Sequence, residues 1–263
     1  MPVELLTETS TVYGPVDSWR VGRSLGVDLL CVDSVCSFRC VYCQLGRINV
    51  HTGERRVYVP TGRVLEDLKA SDWRKADAVT LSGSGEPTLA ANLGEVIRGI
   101  KRLTNKPVVV LTNSARLRDA HVRRELSRAD SVFCKLDAAD EETFRRVNRP
   151  AEGVTLRTTF EGIRRLRAEY TGCLCIQLML LPLNKERAVE FAGLLRCLRP
   201  DEVQLNSPSR VVPRAWSPDA RGRPAHGERV GVMLKTVSQA EAAEFANYLR
   251  RTTGLNVVSR ETR

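Results

Sequence analysis

The sequence predicts an α/β protein built around a parallel sheet, and three observations carry that reading. Short apolar runs alternate with stretches of helical period over most of the chain, the pattern of βαβ units. At 263 residues, 42% of them apolar, the chain can bury the core of a single α/β barrel. The side chains best suited to chemistry fall directly after the apolar runs, and α/β folds hold their ligands there, at the C-terminal ends of the strands.

The strand candidates are 26–30, 78–82, 108–112, 132–136, 173–181 and 202–206. Helix candidates lie between them at 63–70, 93–103, 118–129, 155–169 and 186–198. Six strands with right-handed crossovers give either an open doubly wound sheet or an incomplete barrel. Beyond Arg210, a stretch bearing proline and glycine runs to Gly227 and includes Trp216 and His226; it reads as a loop or lid. Residues 238–251, with Gln239, Ala242, Phe245 and Leu249 at helical spacing, read as a closing helix. No linker rich in small residues and no repeat of solenoid length divides the chain.

Met1-Pro2-Val3-Glu4 has no basic stretch leading into an apolar core, so no secretory signal is read. The longest apolar run, 174–183, is interrupted by Gln177 and Pro182 and is too short to span a bilayer. The expectation is a soluble, cytoplasmic protein with no membrane partner. Eight cysteines in such a protein point to metal or redox chemistry more than to a disulfide framework. The net charge is +10, and only seven of the 41 basic residues are lysines. Many arginines sit near acids on helix faces, as Arg145 and Arg146 do with Glu141 and Glu142, which describes a salt-bridged, solvated surface. The other reading is a polyanion partner such as RNA, since arginine both neutralises phosphate and stacks on bases.

Cys36, Cys40 and Cys43 stand within eight residues on a loop after the first strand and can converge on one metal centre as thiolates. A structural zinc site needs four donors; Cys31 upstream and His51 downstream are the candidates for a fourth. Three close cysteines without a clear fourth suggest a cubane with one iron left open to a ligand. The remaining cysteines do not converge as a second cluster requires. Cys173 and Cys175 share a face at the start of a strand, away from the active end, Cys197 lies in an apolar helical stretch, and Cys134 faces away from Lys135.

Further candidates end the later strands. Gly83-Ser84-Gly85-Glu86-Pro87-Thr88 follows the second, Asn113-Ser114 the third, and Lys135 and Asp137 end the fourth. Each has a structural alternative. Glu86 beside Pro87 and Thr88 reads as a helix cap, and Asn113-Ser114 as another. Lys135 reads as a side chain snorkelling from a strand end.

A CxxxCxxC run with an aromatic, here Tyr42, before its last cysteine resembles the cluster motif of the radical SAM superfamily. Gly83 to Pro87 resembles that family's GGEP-type motif, with the first position relaxed to Gly-Ser-Gly. Tyr13-Gly14-Pro15-Val16, the run from Gly22 to Leu30, Lys135-Leu136-Asp137-Ala138 and Asn148-Arg149-Pro150 resemble a group related to the archaeal wyosine (tRNA imidazoguanosine) synthetases. Those archaeal enzymes carry a further N-terminal cysteine set for a second cluster, and residues 1–30 here contain no cysteine.

The resemblance implies a partial (β/α)6 TIM-like barrel over 22–210, an N-terminal extension over 1–21, and a C-terminal lid and helix over 211–263. It implies a [4Fe–4S] cluster on Cys36, Cys40 and Cys43, whose fourth iron takes the amino and carboxylate groups of S-adenosylmethionine (SAM). The backbone of Gly83, Gly85 and Glu86 would hold the methionine amino group, and Tyr42 would lie against the adenine. Asn113 or Ser114 would bond the ribose or carboxylate region, Lys135 a carboxylate, and Asp137 the ribose or substrate. The implied activity is reductive cleavage of SAM to a 5′-deoxyadenosyl radical that takes hydrogen from a substrate, tRNA among the candidates. The electron would come from a donor of flavodoxin or ferredoxin type. No residue is marked out as acting on the substrate itself. Two other readings are an activating enzyme that makes a radical on a partner protein, and an iron–sulfur electron carrier or sensor without turnover. The Gly85-Glu86-Pro87 loop argues against the carrier, because electron transfer needs no SAM-holding glycines.

Overall fold

Alternation along the central strands decides the layers, because successive side chains of a strand point to opposite faces. The computed structural model describes residues 9–31, 33–216, 221, 231–260 and 262. The strands are β1 (Val12–Ser18), β2 (Gly22–Val27), β3 (Val35–Cys36), β4 (Val50–His51), β5 (Ala78–Leu81), β6 (Val108–Thr112), β7 (Ser131–Lys135), β8 (Cys173–Met179), β9 (Glu202–Asn206), β10 (Val212–Pro213), β11 (Gly231–Val232) and β12 (Val257–Ser259). The helices are α1 (Thr61–Ala70), α2 (Leu93–Thr104), α3 (Ala120–Leu126), α4 (Glu141–Val147), α5 (Leu156–Glu169), α6 (Ala188–Leu198) and α7 (Gln239–Thr253).

Eight strands form one curled sheet in the order β1-β2-β5-β6-β7-β8-β9-β12. The β1–β2 pair is antiparallel, and the pairs from β2 to β12 are parallel. This is the partial TIM-like barrel that the sequence implies, with its six expected strands at the centre. The two edge strands come from the expected N-terminal and C-terminal extensions. β1 contains Gly14 and Pro15, residues that weaken a strand signal and that an edge position tolerates. Residues 1–8 lie outside the described residues, as do 217–220 and 222–227 of the expected lid, with His226.

Leu25, Val79, Val110, Val132, Ile176 and Val203 point to one face of the sheet, where they join the helices in the main core. On the other face the strands carry Ser24, Thr80, Lys135, Gln177 and Gln204. There Ser24 Oγ and Thr80 Oγ1 are 2.7 Å apart, and Gln177 Nε2 donates to Gln204 Oε1 at 2.9 Å. The lumen of the half-barrel is therefore polar toward its C-terminal end. Toward the N-terminal end it holds a small apolar group, Ala78, Val109, Phe133 and Cys175.

Strand and helix ends follow local chemistry. The first central strand stops at Val27 rather than running to 30, because the Asp28 carboxylate accepts from Leu30 N at 2.9 Å and turns the chain out of the ladder. α3 starts later than the sequence pattern suggests, at the Asp119 cap that accepts from His121 N at 2.8 Å. α4, which the sequence signalled only through the spacing of Glu141 and Glu142 from Arg145 and Arg146, is a two-turn helix capped by Asp140 on Thr143 N at 2.8 Å. It carries Phe144, whose ring meets Phe38 of the cysteine loop edge-on at 5.4 Å between centroids.

Phe38 is 2% exposed and anchors the cysteine loop to the core. Phe38→Ala is expected to cost about 3–5 kcal/mol of stability in urea denaturation and to lower the iron retained after reconstitution.

Candidate functional site

The loop after β2 returns through β3, and its path is set by backbone pairing with the loop after β5. Val35 N donates to Ser84 O and Glu86 N donates to Val35 O, both at 3.0 Å, so Val35 and Gly85 form a parallel bridge. Only glycine fits there: a Cβ on Gly85 would stand 1.7 Å from the Val35 carbonyl oxygen. Gly83, at φ +139°, lies against Asp28, whose Cγ would be 2.3 Å from an added Cβ. Asp28 in turn accepts from Ser84 N at 3.0 Å and Ser84 Oγ at 2.6 Å. Cys36 and the Gly83–Glu86 loop are thus held side by side.

Glu86 is 2% exposed and its carboxylate is fully engaged. It accepts from Thr88 N at 3.0 Å, Thr88 Oγ1 at 2.6 Å, Thr112 Oγ1 at 2.7 Å and Asn113 N at 2.6 Å. Burial pushes its pKa up despite these donors. The capping alternative is present, since Glu86 caps the short turn Pro87–Leu89. Its side chain works inside the protein, and its backbone faces the cysteine loop.

Asn113 reaches from the end of β6 to the cysteine loop. Its amide Nδ2 donates to Ser37 Oγ at 2.9 Å and lies 3.5 Å from Cys36 Sγ. Ser114 adopts φ +71° and is fully buried, with its Oγ 3.4 Å from the Lys135 carbonyl; it shapes the turn after β6.

Cys43 N donates to Cys40 O at 3.1 Å, which folds the second half of the motif into a turn. The three thiols are half-buried and unoxidised. Burial pushes all three pKa values up, that of Cys40 to about 12 with help from Asp137 and Cys43, so without a metal the thiols stay protonated. N–H groups surround the sulfurs: Phe38 N lies 3.4 Å from Cys36 Sγ, and Asn148 Nδ2 lies 3.5 Å from Cys40 Sγ.

Asp137, 2% exposed, organises the other side. It accepts from the Tyr42 hydroxyl, from Asn148 Nδ2 at 2.8 Å and from Met179 N at 2.9 Å. Lys135 Nζ stands 3.9 Å from Asp137 Oδ1 and 4.9 Å from the centre of the Tyr42 ring. Burial, then the Asp137 charge, pushes the Tyr42 phenol well up, so it remains a donor. The sequence-selected residues therefore form one contiguous site, and sequence reasoning missed Asn148 and Asp28 within it. Asn148 was visible only as part of the Asn148-Arg149-Pro150 run, and Asp28 as an acid at a strand end.

Of the stretch expected as a lid, residues 211–216 and 221 are described. Trp216 packs on Leu45 and Ile48 beside Cys36 and Cys43, and Gly46, at φ +77°, leaves room for the Pro213 and Ala215 carbonyls. Farther on, Arg221 Nη1 reaches buried Asp28 at 3.2 Å. The alternative fourth ligands differ in position: His51 is the register partner of Cys36 across β3 and β4, whereas Cys31 lies buried ahead of β3. Cys31 is 2% exposed and senses Asp28, Arg221, Arg63 and Asp67. His51 Nε2 lies 3.3 Å from Ser37 O. Among the described residues no three or more His, Cys, Asp or Glu side chains are gathered as a single-ion site.

The sequence profile of the radical SAM superfamily matches residues 32–195, more than half of the chain. The chain belongs to the radical SAM superfamily. A UPF0026 protein of Synechocystis sp. is 42% identical over 255 residues, covering 95% of this chain and 96% of its own length. Among solved structures, SuiB of Streptococcus suis bound to S-adenosylmethionine superposes with a TM-score of 0.62 at 14% identity, over 86% of this chain and 48% of its own. Archaeal TYW1, a wyosine synthetase, superposes with a TM-score of 0.58 at 14% identity, over 95% of this chain and 79% of its own. These structural likenesses concern the fold.

Radical SAM proteins are enzymes that use a [4Fe–4S] cluster and SAM, and this radical SAM chain does likewise. Its site fits both. Three thiols with N–H donors on their sulfurs match the needs of cluster thiolates. A glycine-lined backbone beside them admits a ligand at close range. Asn148 Oδ1 is buried without a hydrogen-bond partner, an acceptor free to meet a bound group.

Gly85→Ala is expected to push the Gly83–Glu86 loop away from β3, lowering the melting temperature and weakening SAM binding at least tenfold in equilibrium dialysis. Gly62→Ala on α1, where an added Cβ meets nothing within 4 Å, is expected to leave SAM binding unchanged and to raise stability by about 0.5–1 kcal/mol.

Proposed function

We propose that Cys36, Cys40 and Cys43 ligate the cluster and that the chain cleaves SAM reductively to act on a nucleic-acid substrate in the cytoplasm. The observation that carries the first half is the bridge of Val35 and Gly85, which sets the backbone of the glycine loop beside Cys36. Held by these cysteines, a reduced cluster would supply the electron for reductive cleavage of SAM, and the 5′-deoxyadenosyl group would supply the hydrogen-abstracting radical.

The protein's own residues bind, orient and exclude water. The Gly83–Glu86 backbone holds the methionine amino group, with Glu86 fixing the loop from behind through Thr88, Thr112 and Asn113. Tyr42, held by Asp137, offers its ring to the adenine, and Lys135, 4.9 Å from the centre of that ring, serves the SAM carboxylate. Asn113 and Asn148 steady the sulfurs through their N–H groups. Ser114 supports the turn that carries Asn113. Trp216 and its neighbours cover the cysteine loop against solvent. A one-electron donor of flavodoxin or ferredoxin type supplies the reducing equivalent.

Support for a polyanionic substrate comes from charge. Arg39 and Arg47 on the cysteine loop, and Arg149 and Arg214 beside it, are exposed, and among the described residues their side chains make no hydrogen bond or ion pair. Most helical arginines near acids are instead paired, as Arg164 and Arg165 are with Glu161. Free guanidinium groups around the reactive mouth suit RNA phosphates.

Anaerobically reconstituted protein given dithionite and SAM is expected to release 5′-deoxyadenosine and methionine. Cys40→Ala is expected to fold, to lose the cluster's colour and to abolish cleavage; a variant that retains its iron and colour refutes the ligand set. tRNA is expected to be retained at low salt and released as salt rises, and no retention at low salt moves the substrate to a protein or a small molecule.

A further inference from the structure

Two cysteines stand at the opposite end of the half-barrel from the cluster loop. Cys173 and Cys175 open β8, on the lumenal face, and their sulfurs are 3.7 Å apart. The approach to them is asymmetric. Cys173 is exposed, whereas Cys175 is 2% exposed and packs with Ala78, Val109 and Phe133. A reagent in solution meets Cys173 first.

We infer that Cys173 and Cys175 form a reactive dithiol that exchanges with low-molecular-weight disulfides, Cys173 as the attacking thiol and Cys175 as the resolving one. The Cys173 thiolate attacks one sulfur of a disulfide such as oxidised glutathione, forming a mixed disulfide and releasing one thiol. Cys175 then gives its proton to solvent and attacks the Cys173 sulfur, releasing the second thiol and closing the intrachain bond. Two protein thiols are oxidised by two electrons and one external disulfide is reduced to two thiols.

The local chemistry suits these roles. The groups facing Cys173 are Ser131 on β7, Cys175 on its own strand, and Asp201 and Glu202 at the start of β9. The Cys175 hydrogen bond outweighs partial burial and the two acids, and the Cys173 pKa falls to about 7, while that of Cys175 rises. An exposed thiolate with a resolving thiol beside it is the arrangement of redox-sensitive cysteines. Residues two apart in an extended strand have Cα and Cβ atoms each about 6.6 Å apart, whereas a disulfide brings its Cβ atoms to about 3.5–4.5 Å, so closing the bond requires the start of β8 to bend. Closing the bond strains the strand, so the oxidised form is easily reduced and the exchange is reversible.

The test uses the cluster-loaded enzyme, in which the cluster occupies Cys36, Cys40 and Cys43, with oxidised glutathione as the probe. Peptide mapping of the wild type is expected to find an intrachain bond between Cys173 and Cys175, reversed by dithiothreitol. Cys175→Ser is expected to stop at glutathione on Cys173, and Cys173→Ser to leave Cys175 unmodified. A maleimide pulse at neutral pH is expected to label Cys173 about tenfold faster than exposed Cys197. Equal labelling of Cys173 and Cys197, or a mixed disulfide that persists in the wild type, overturns the inference. The readout is independent of SAM cleavage.

Discussion

Glu86 carries its carboxylate into the interior between the ends of β5 and β6, where Thr88, Thr112 and Asn113 converge on it. A buried carboxylate is costly unless its oxygens are bonded, and here that requirement ties together two chain segments, the turn at 86–88 and the end of β6 at 112–113. Through its backbone N–H, Glu86 also holds Val35, the residue before Cys36. Through Asn113 it reaches Cys36 a second time, since the same Asn113 that donates to Glu86 directs its side-chain amide at Ser37 and the Cys36 sulfur. The cysteine loop has little regular structure of its own and takes its shape from these contacts.

Asp137 plays the matching part across the loop. It gathers Tyr42, Asn148 and the Met179 amide, and Asn148 passes on to Cys40. One acid therefore governs the approach to Cys36 and the other the approach to Cys40. Both sit at the C-terminal ends of parallel strands, where the barrel leaves backbone groups and loop residues free to face a ligand. The Arg221–Asp28 contact and the packing of Trp216 add the C-terminal segment, Trp216 against the cysteine loop and Arg221 against the acid that holds the glycine loop.

The central strands were legible in the sequence because each is a short apolar run followed by a helical period, and five of the six lie within two residues of their expected position. The first was displaced because its end is set by a side chain, the Asp28 carboxylate on Leu30 N, and not by hydropathy. β1 was hidden by Gly14 and Pro15, which only an edge strand accommodates, and β12 by its three-residue length. α4 showed only in its acid–arginine spacing, because two turns are too short to establish an apolar period. In the site, the cysteines and the glycine loop were legible as motifs with fixed spacing. The roles of Glu86, Asn113 and Asp137 as internal anchors were not, because a motif gives the position of a carboxylate or amide and not the atoms that bond it. Asn148 is the plainest case: its partners, Cys40 and Asp137, are 108 and 11 residues away.

On the proposed reading, three cysteines hold a cluster with one iron open to SAM. Electron paramagnetic resonance of the anaerobically reduced, reconstituted protein tests it most directly, with spectra taken before and after SAM is added. The expected result is a reduced [4Fe–4S] signal that changes shape on adding SAM, as the open iron gains the amino and carboxylate groups. A signal that SAM leaves unchanged would contradict the open-iron site.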